Sequence, residues 1–390
     1  MLALALALLL AVPDTVGPAP GARDLDVSLR TPITTLYSGE FGFGIAAGLR
    51  ARSGATTATL DGRLSQHWQG AALTVDTHNP ATARVFGRVR GVASSVSRWR
   101  YHGLGSATDA DTRADLNLGT ASAVAAVGVR PLASRVLTVQ PEVGVRIDRL
   151  DALADDAAAD LFALPPADQQ AFFGSAEQTR RAGWLGLTAE VDTRDRIEYP
   201  SQGAVVSAGA RRLAAFDDSD FGMMRYDARA AGFVPLGQRV TLFGRASASV
   251  ARADDGAEIP LFYLPTVDPD LLAGFPLGRF RGRDTALFSV GTRIPIIDAL
   301  GTFGLDATVT ASAGNAYRDL FSDFSPTLST GPTDHGTASL RPVLGLGLAL
   351  VNIPKGRVAF GGTLGLGPEG TTLFAFRLAT GLGDDLPVLW

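Results

Sequence analysis

SLRPVLGLGLAL, Ser339–Leu350, separates into two faces. Leu340, Pro342, Leu344, Leu346, Leu348 and Leu350 fall on one; Ser339, Arg341, Gly345, Gly347 and Ala349 fall on the other. Successive side chains of a strand point to opposite sides, so this period of two marks a strand with one apolar face. RVTLFGRASASVAR, Arg239–Arg252, repeats the pattern. Its Val240, Leu242, Gly244, Ala246, Ala248 and Val250 oppose Thr241, Phe243, Arg245, Ser247 and Ser249. In TVQPEVGVRID, Thr138–Asp148, Val143, Val145 and Ile147 oppose Glu142, Arg146 and Asp148. RVAFGGTLGL, Arg357–Leu366, and TTLFAFRLATGL, Thr371–Leu382, alternate in the same way.

A soluble β-sandwich also alternates, so three further features decide. Spans such as 337–352 and 301–317 far exceed the usual strand of about 5–6 residues. The polar phase carries arginines in mid-strand, and the opposite phase carries few charges. An arginine facing lipid near the bilayer midplane costs about 2–4 kcal/mol, so such arginines belong in a wet interior. A sheet can cross a bilayer only if it closes on itself. The expected fold is all-β: a 16-stranded antiparallel transmembrane β-barrel. Expected strands lie near 41–51, 56–66, 70–77, 83–91, 93–102, 115–130, 136–150, 182–194, 203–214, 222–235, 239–253, 284–297, 301–317, 337–352, 356–366 and 371–382. Short turns alternate with longer loops at 151–181, 254–283 and 318–336. The Ala/Asp-rich stretch 151–174 is expected to carry a short helix within its loop.

The N-terminus, MLALALALLLAV, is a short apolar core followed by a loose Pro/Gly/Ala-rich stretch, which suits a secretory signal peptide over residues 1–22. Residues 23–39 are expected to form a short periplasmic or luminal lead-in, and 40–390 the barrel domain. Of the 35 basic residues only Lys355 is a lysine, and the net charge of −4 offers no argument for nucleic acid. There are no cysteines, hence no disulfide framework or thiolate site.

Two charged segments stand out. In AEVDTRDRIEYPSQG, Ala189–Gly203, an acid–Arg–acid cluster (Asp192, Arg194, Asp195) ends a strand, and Pro200 and Gly203 supply the dihedrals of a tight turn. In GRFRGRDTALFSVGTRIPI, Gly278–Ile296, Arg279, Arg281 and Arg283 precede an apolar strand that itself contains Arg293. A guanidinium in a narrow lumen can bond several groups in fixed geometry, and Gly282 lets the backbone turn sharply beside it.

The D-x-R-D … P-x-x-G segment resembles that of the BamA/TamA-type outer-membrane surface-antigen family. So does the FRGR stretch, with Arg281 and Gly282 at the place of that family's Arg-Gly motif. RYHGLGSATDADT, 100–112, resembles its aromatic-x-G-x-G loop. The resemblance implies that the loop between strands eleven and twelve, 254–283, folds back into the lumen as a latch built on Arg279, Arg281, Gly282 and Arg283. The chain departs from the family at Thr292 and Ser312, where acidic latch partners usually stand; Asp306 or Glu142 are the substitutes to test. N-terminal POTRA repeats are not expected. Phe374, Phe376, Leu378, Leu382 and the terminal Trp390 resemble the C-terminal signal read by the barrel assembly machinery during biogenesis.

By resemblance the function is assisted insertion or translocation of protein or lipid at the bacterial outer membrane. The opening is expected at a weak seam between the first and last strands. Gly39, Gly42, Gly44 and Gly48 motivate that seam, because glycine weakens strand pairing. Expected partners are outer-membrane lipid, the assembly machinery and a client of undetermined identity. Two other readings stay open, a passive channel for small anions and an adhesin-like surface protein. No enzyme is expected: His67, His78, His102 and His335 are scattered, no HExxH or GxSxG motif occurs, and no cofactor is implied. Asp217, Asp218 and Asp220 suit a cation or, more simply, a solvated loop.

Overall fold

The computed structural model describes residues 26–38, 42–78, 83–102, 114–131, 136–152, 177–196, 199–216, 221–237, 240–254, 259–267, 272, 274–275, 278–299, 303–330, 338–352, 357–367 and 372–377. Among the described residues, seventeen strands form one sheet. They are β1 (Asp26–Ser38), β2 (Gly42–Ser53), β3 (Thr56–Ser65), β4 (Trp68–Asp76), β5 (Val85–Tyr101) and β6 (Ala114–Val129). β7 (Leu137–Ala152), β8 (Glu177–Asp192), β9 (Gly203–Ala215), β10 (Gly222–Leu236), β11 (Val240–Ala253) and β12 (Asp284–Ala299) follow. β13 (Phe303–Tyr317), β14 (Phe324–Leu328), β15 (Ala338–Asn352), β16 (Arg357–Leu366) and β17 (Thr372–Arg377) complete the order. A single helical turn, α1 (Leu320–Asp323), precedes β14.

Sixteen of these strands are antiparallel neighbours in chain order, as expected. β14 is the exception, a short strand lying parallel to β15. Two expectations are corrected. Residues Asp26–Ser38 are not a lead-in: they form β1, paired with β2 from Asp26↔Arg52 to Ser38↔Gly42. The two strands expected at 83–91 and 93–102 are one continuous strand, β5. These differences offset each other and leave the count unchanged. β1 meets β17 at Tyr37↔Phe376 and Ser38↔Ala375, which joins the ring. Gly42, Gly44 and Gly48 therefore lie on β2, one strand inside the seam, because β1 stands between them and β17.

The two faces sort as their chemistry requires. On β15, Leu344, Leu346 and Leu348 are exposed outward, while Arg341 is fully buried inside. On β7, Ile147 faces out, whereas Arg146 and Asp148 pair at 2.7 Å within. Glu142 bonds Arg211 at 2.6 Å, and Arg225 holds Asp227 at 2.9 Å, both on the inner wall. Paired charges suit a confined polar interior, where an unpaired ion would pay its full desolvation.

The signal peptide, Gly39, the stretch 153–176, the acids of 217–220, His335 and residues Leu378, Leu382 and Trp390 lie outside the described residues. Of the C-terminal signal, Phe374 and Phe376 are placed on β17.

Candidate functional site

Near the loop-bearing end, the inner wall changes character. Val96, Trp99, Tyr101, Leu116, Leu118, Leu150, Leu213 and Met223, from β5 to β10, form an apolar seat with Leu261–Leu264 of the loop between β11 and β12. Five strands thus supply a surface that no single strand announces. On the opposite wall, Val267, Leu272, Phe275 and Phe280 of the same loop pack on Leu287 of β12, Ala316 of β13 and Val343 of β15. The loop crosses the lumen and is anchored by burial at both ends. Between the anchors it folds on itself: Val267 N donates to Phe280 O at 3.1 Å and Gly282 N to Pro265 O at 3.2 Å.

Arg281 sits at the centre of this arrangement and is 2 % exposed. Its Nη1 donates to the carbonyls of Leu261, at 2.9 Å, and Leu264, at 3.4 Å. Its guanidinium lies 4.6 Å from the Trp99 ring centroid. Neither Asp306 nor Glu142 supplies its partner: Glu142 serves Trp184 and Arg211, and Asp306 serves Tyr199 and Arg293. Ser312 instead donates to Ser289 at 2.9 Å. Burial pushes the Arg281 guanidinium down to about 9, with Tyr101 opposing and Arg146 and Arg225 adding to the effect. Among the described residues, this arginine among arginines is held by carbonyl dipoles and a π-face rather than by a carboxylate.

The neighbouring motif residues divide. Arg279 is buried with its guanidinium 5.0 Å from the Phe280 ring, whereas Arg283 is exposed. Gly278 takes φ 75°, the left-handed turn that starts the segment. At Gly282 a Cβ would lie 2.7 Å from the Tyr317 carbonyl, so the close approach to β13 requires glycine. Gly274 and Gly367 also abut: a Cβ on the former would lie 2.7 Å from Gly367 N. The loop therefore touches the connection between β16 and β17, beside the seam.

The other end of the lumen is occupied by the β8–β9 turn. Arg194 grips Asp192 through its Nε at 2.9 Å and Nη2 at 2.8 Å. Asp195 accepts from Ser201 N at 2.9 Å and Ser201 Oγ at 2.6 Å. Burial acts against the Asp195 carboxylate, but these bonds outweigh it and hold its pKa below the usual range. Gly203 has φ 95°, and a Cβ there would run into the Thr193 carbonyl. The turn is then tied across the barrel. Pro200 O accepts from Arg293 Nη2 at 2.6 Å, Tyr199 OH donates to Asp306, and the Arg293 guanidinium lies 3.6 Å from the Tyr199 ring centroid. Burial and then the Asp306 contact push the Tyr199 hydroxyl upward.

The sequence motifs pointed to both segments but not to their connections. Trp99, Tyr199 and the apolar seat were missed. The available signal was apolar residues occurring in the polar phase near strand ends, as at Leu116, Leu118 and Met223.

No protein-family model and no curated protein matches the sequence. Solved structures do. BamA from Haemophilus ducreyi lacking POTRA domains 1–3 matches with a TM-score of 0.61 at 13% identity, over 91% of this chain and 69% of that one. CdiB from Escherichia coli matches with a TM-score of 0.56 at 10% identity, over 92% and 68%. At those identities the likeness is one of fold: the chain has the barrel fold that BamA and CdiB share.

Proposed function

We propose that this chain is an outer-membrane barrel that assists insertion or translocation of a protein or lipid client through the β1–β17 junction. The observation that carries the reading is where the ring is joined: β1, the first strand, pairs with β17, the last, at Tyr37↔Phe376 and Ser38↔Ala375. Other antiparallel neighbours are also tied by the chain that connects them, whereas β1 and β17 are held together through strand pairing alone, so this is the junction that can part without straining a turn.

Three features support it. The outward-facing side chains Phe43, Ile45, Leu185, Leu187, Val290 and Leu344 are exposed in numbers that suit lipid contact. The luminal loop reaches Gly367 next to β17, so movement of the seam would be felt by the loop. The motif resemblance around Arg281 and Asp192–Gly203 implies the same activity. Partners in this reading are outer-membrane lipid, the assembly machinery during biogenesis and a client; no enzymatic step is involved.

The passive-channel reading draws on one observation. Thr188, Ser207, Gly209, Arg211, Asp227 and Arg229 line a polar recess of about 110 Å³ on the inner wall. The loop packed on both walls argues against a wide conduit.

The natural absence of cysteine permits a direct test. A Tyr37→Cys, Phe376→Cys pair, reconstituted in liposomes and oxidised, is expected to stop assisted insertion of a second barrel protein, with recovery on reduction. Full activity when locked overturns the seam. Large, steady leakage of small anions in both redox states supports the channel.

A further inference from the structure

The outer face of the barrel is interrupted at one place. Strand partners share a face, so Asp284↔Tyr317 and Ala286↔Asn315 should point outward with Phe288↔Ala313 and Val290↔Ala311. Phe288 and Val290 are exposed, as that face requires. Asp284, Ala286, Asn315 and Tyr317 are buried, and so is Leu340, which shares the outer phase of β15 with Leu344. Something covers them, and the cover is α1 with β14.

Each part of the cover is anchored. Asp319 caps α1, accepting from Phe321 N at 2.9 Å. Leu320 packs on Ala286 and Tyr317, and its N–H donates to Asp284 at 2.7 Å. Asp284 is neutralised by Arg252, whose Nη1 donates at 2.5 Å. Phe324 places its ring 6.4 Å from Phe288 and 6.1 Å from Tyr317. β14 then runs parallel to β15, with Ser329 N donating to Leu340 O at 3.0 Å. Its register makes Phe324 and Leu328 partners of Ala338 and Leu340, on the outer side, while Ser325 and Thr327 reach Ser339 or one another on the inner side. The flap thus repeats the two-faced rule of the wall it covers.

Its outer side is nevertheless bare. Phe321 is 83 % exposed, Leu328 65 % and Phe324 39 %. β14 runs in the direction of β15, from the loop end toward the opposite rim, so Phe324 lies beside Phe288 at the upper edge of the apolar belt. We propose that α1–β14 is a lipid-seated flap: Phe321, Phe324 and Leu328 enter the acyl-chain boundary of the bilayer that the belt spans, and so shield Asp284, the buried partner of Arg252, from it. Continuity with the belt through the Phe288–Phe324 contact favours lipid as the occupant. A polar partner would leave the same side chains unmatched. The inference rests on the membrane-spanning part of the reading above and not on the seam.

Single cysteines at Phe321, Leu328, Val290 and Asp254, each labelled with an environment-sensitive fluorophore, test it in phosphatidylcholine vesicles that contain nitroxide-labelled lipid. Gel mobility before and after heating verifies folding. Labels at 321 and 328 are expected to show blue-shifted emission and loss of fluorescence to lipid nitroxide, comparable with 290. The label at 254 should instead be quenched by aqueous iodide. If 321 and 328 follow 254, the flap does not meet lipid and the proposal is overturned. If their shielding disappears when barrels are diluted to one per vesicle, a second copy covers them, which also overturns it. Iodide quenching at 290 as well would overturn the membrane reading itself.

Discussion

Arg281 and Arg293 flank the same strand, one just before β12 and one within it, and each closes one end of the lumen by different means. Among the described residues, Arg281 has carbonyls and an indole ring for company and no carboxylate. Arg293 has a phenol, a carbonyl and Asp306, whose carboxylate stands 3.9 Å from its Nε. The first is fixed by an apolar seat that excludes water around it, the second by a polar knot that must be matched atom by atom. Their sequence contexts give no warning of this, since both lie in one arginine-rich stretch.

The contrast can be broken most severely at the turn. Gly203→Val combines a left-handed φ with a Cβ facing backbone, and it would push Pro200 off Arg293. It should cost about 2–4 kcal/mol, read from the urea midpoint of barrels refolded in vesicles. An unchanged midpoint would mean that this end of the lumen tolerates a reshaped turn.

At the loop end, Arg281→Ala is expected to cost about 2 kcal/mol by removing the stack on Trp99 and leaving two carbonyls unmet. The temperature at which the compact gel band converts to the unfolded one should fall without loss of insertion. Trp99→Leu should reproduce part of the drop. No change in either variant argues against a latch.

The comparison sharpens with Asp306→Asn, which should weaken the Arg293 end by about 1 kcal/mol. It should not add to Arg281→Ala beyond simple summation, because the two knots share no partner. A strong coupling in the double variant would show that the ends act as one unit.

The smallest effect concerns pH. Asp195 has a depressed folded pKa, so its contribution is fully present above the unfolded carboxylate value and is lost as pH falls through the folded one. Stability should decline below about pH 4, modestly because the group is solvent-exposed. Asp195→Asn should remove that component of the acid limb; an identical profile in the variant counts against the assignment.

Much of this was legible beforehand. Alternation at Ser339–Leu350 and Arg239–Arg252 gave the faces, and the turn spacing placed a long loop between β11 and β12, whose insertion into the lumen was implied by the family resemblance. β1 escaped because Pro32 and two register irregularities, between Leu29 and Thr31 and between Thr31 and Thr34, blur the alternation of Asp26–Ser38. β5 was divided at Gly91, which here is simply an interior strand position opposite Ala123.

The seat for Arg281 shows where reading by parity stops. Val96 opposes Leu118, but Trp99 opposes Leu116: β5 spends three residues where β6 spends two. That bulge turns Trp99 and Tyr101 inward, against a strict count by twos. The seat also needs side chains from strands scattered between residues 96 and 223.

Alternation is a local property of the chain, so the sequence alone determined which face of each strand is greasy and which is wet. Only the closed ring decided where the inner face turns apolar to receive the loop, where the outer face is covered by the flap, and which strands border the seam. Those outcomes depend on register and curvature summed over many strands, and no single segment encodes them.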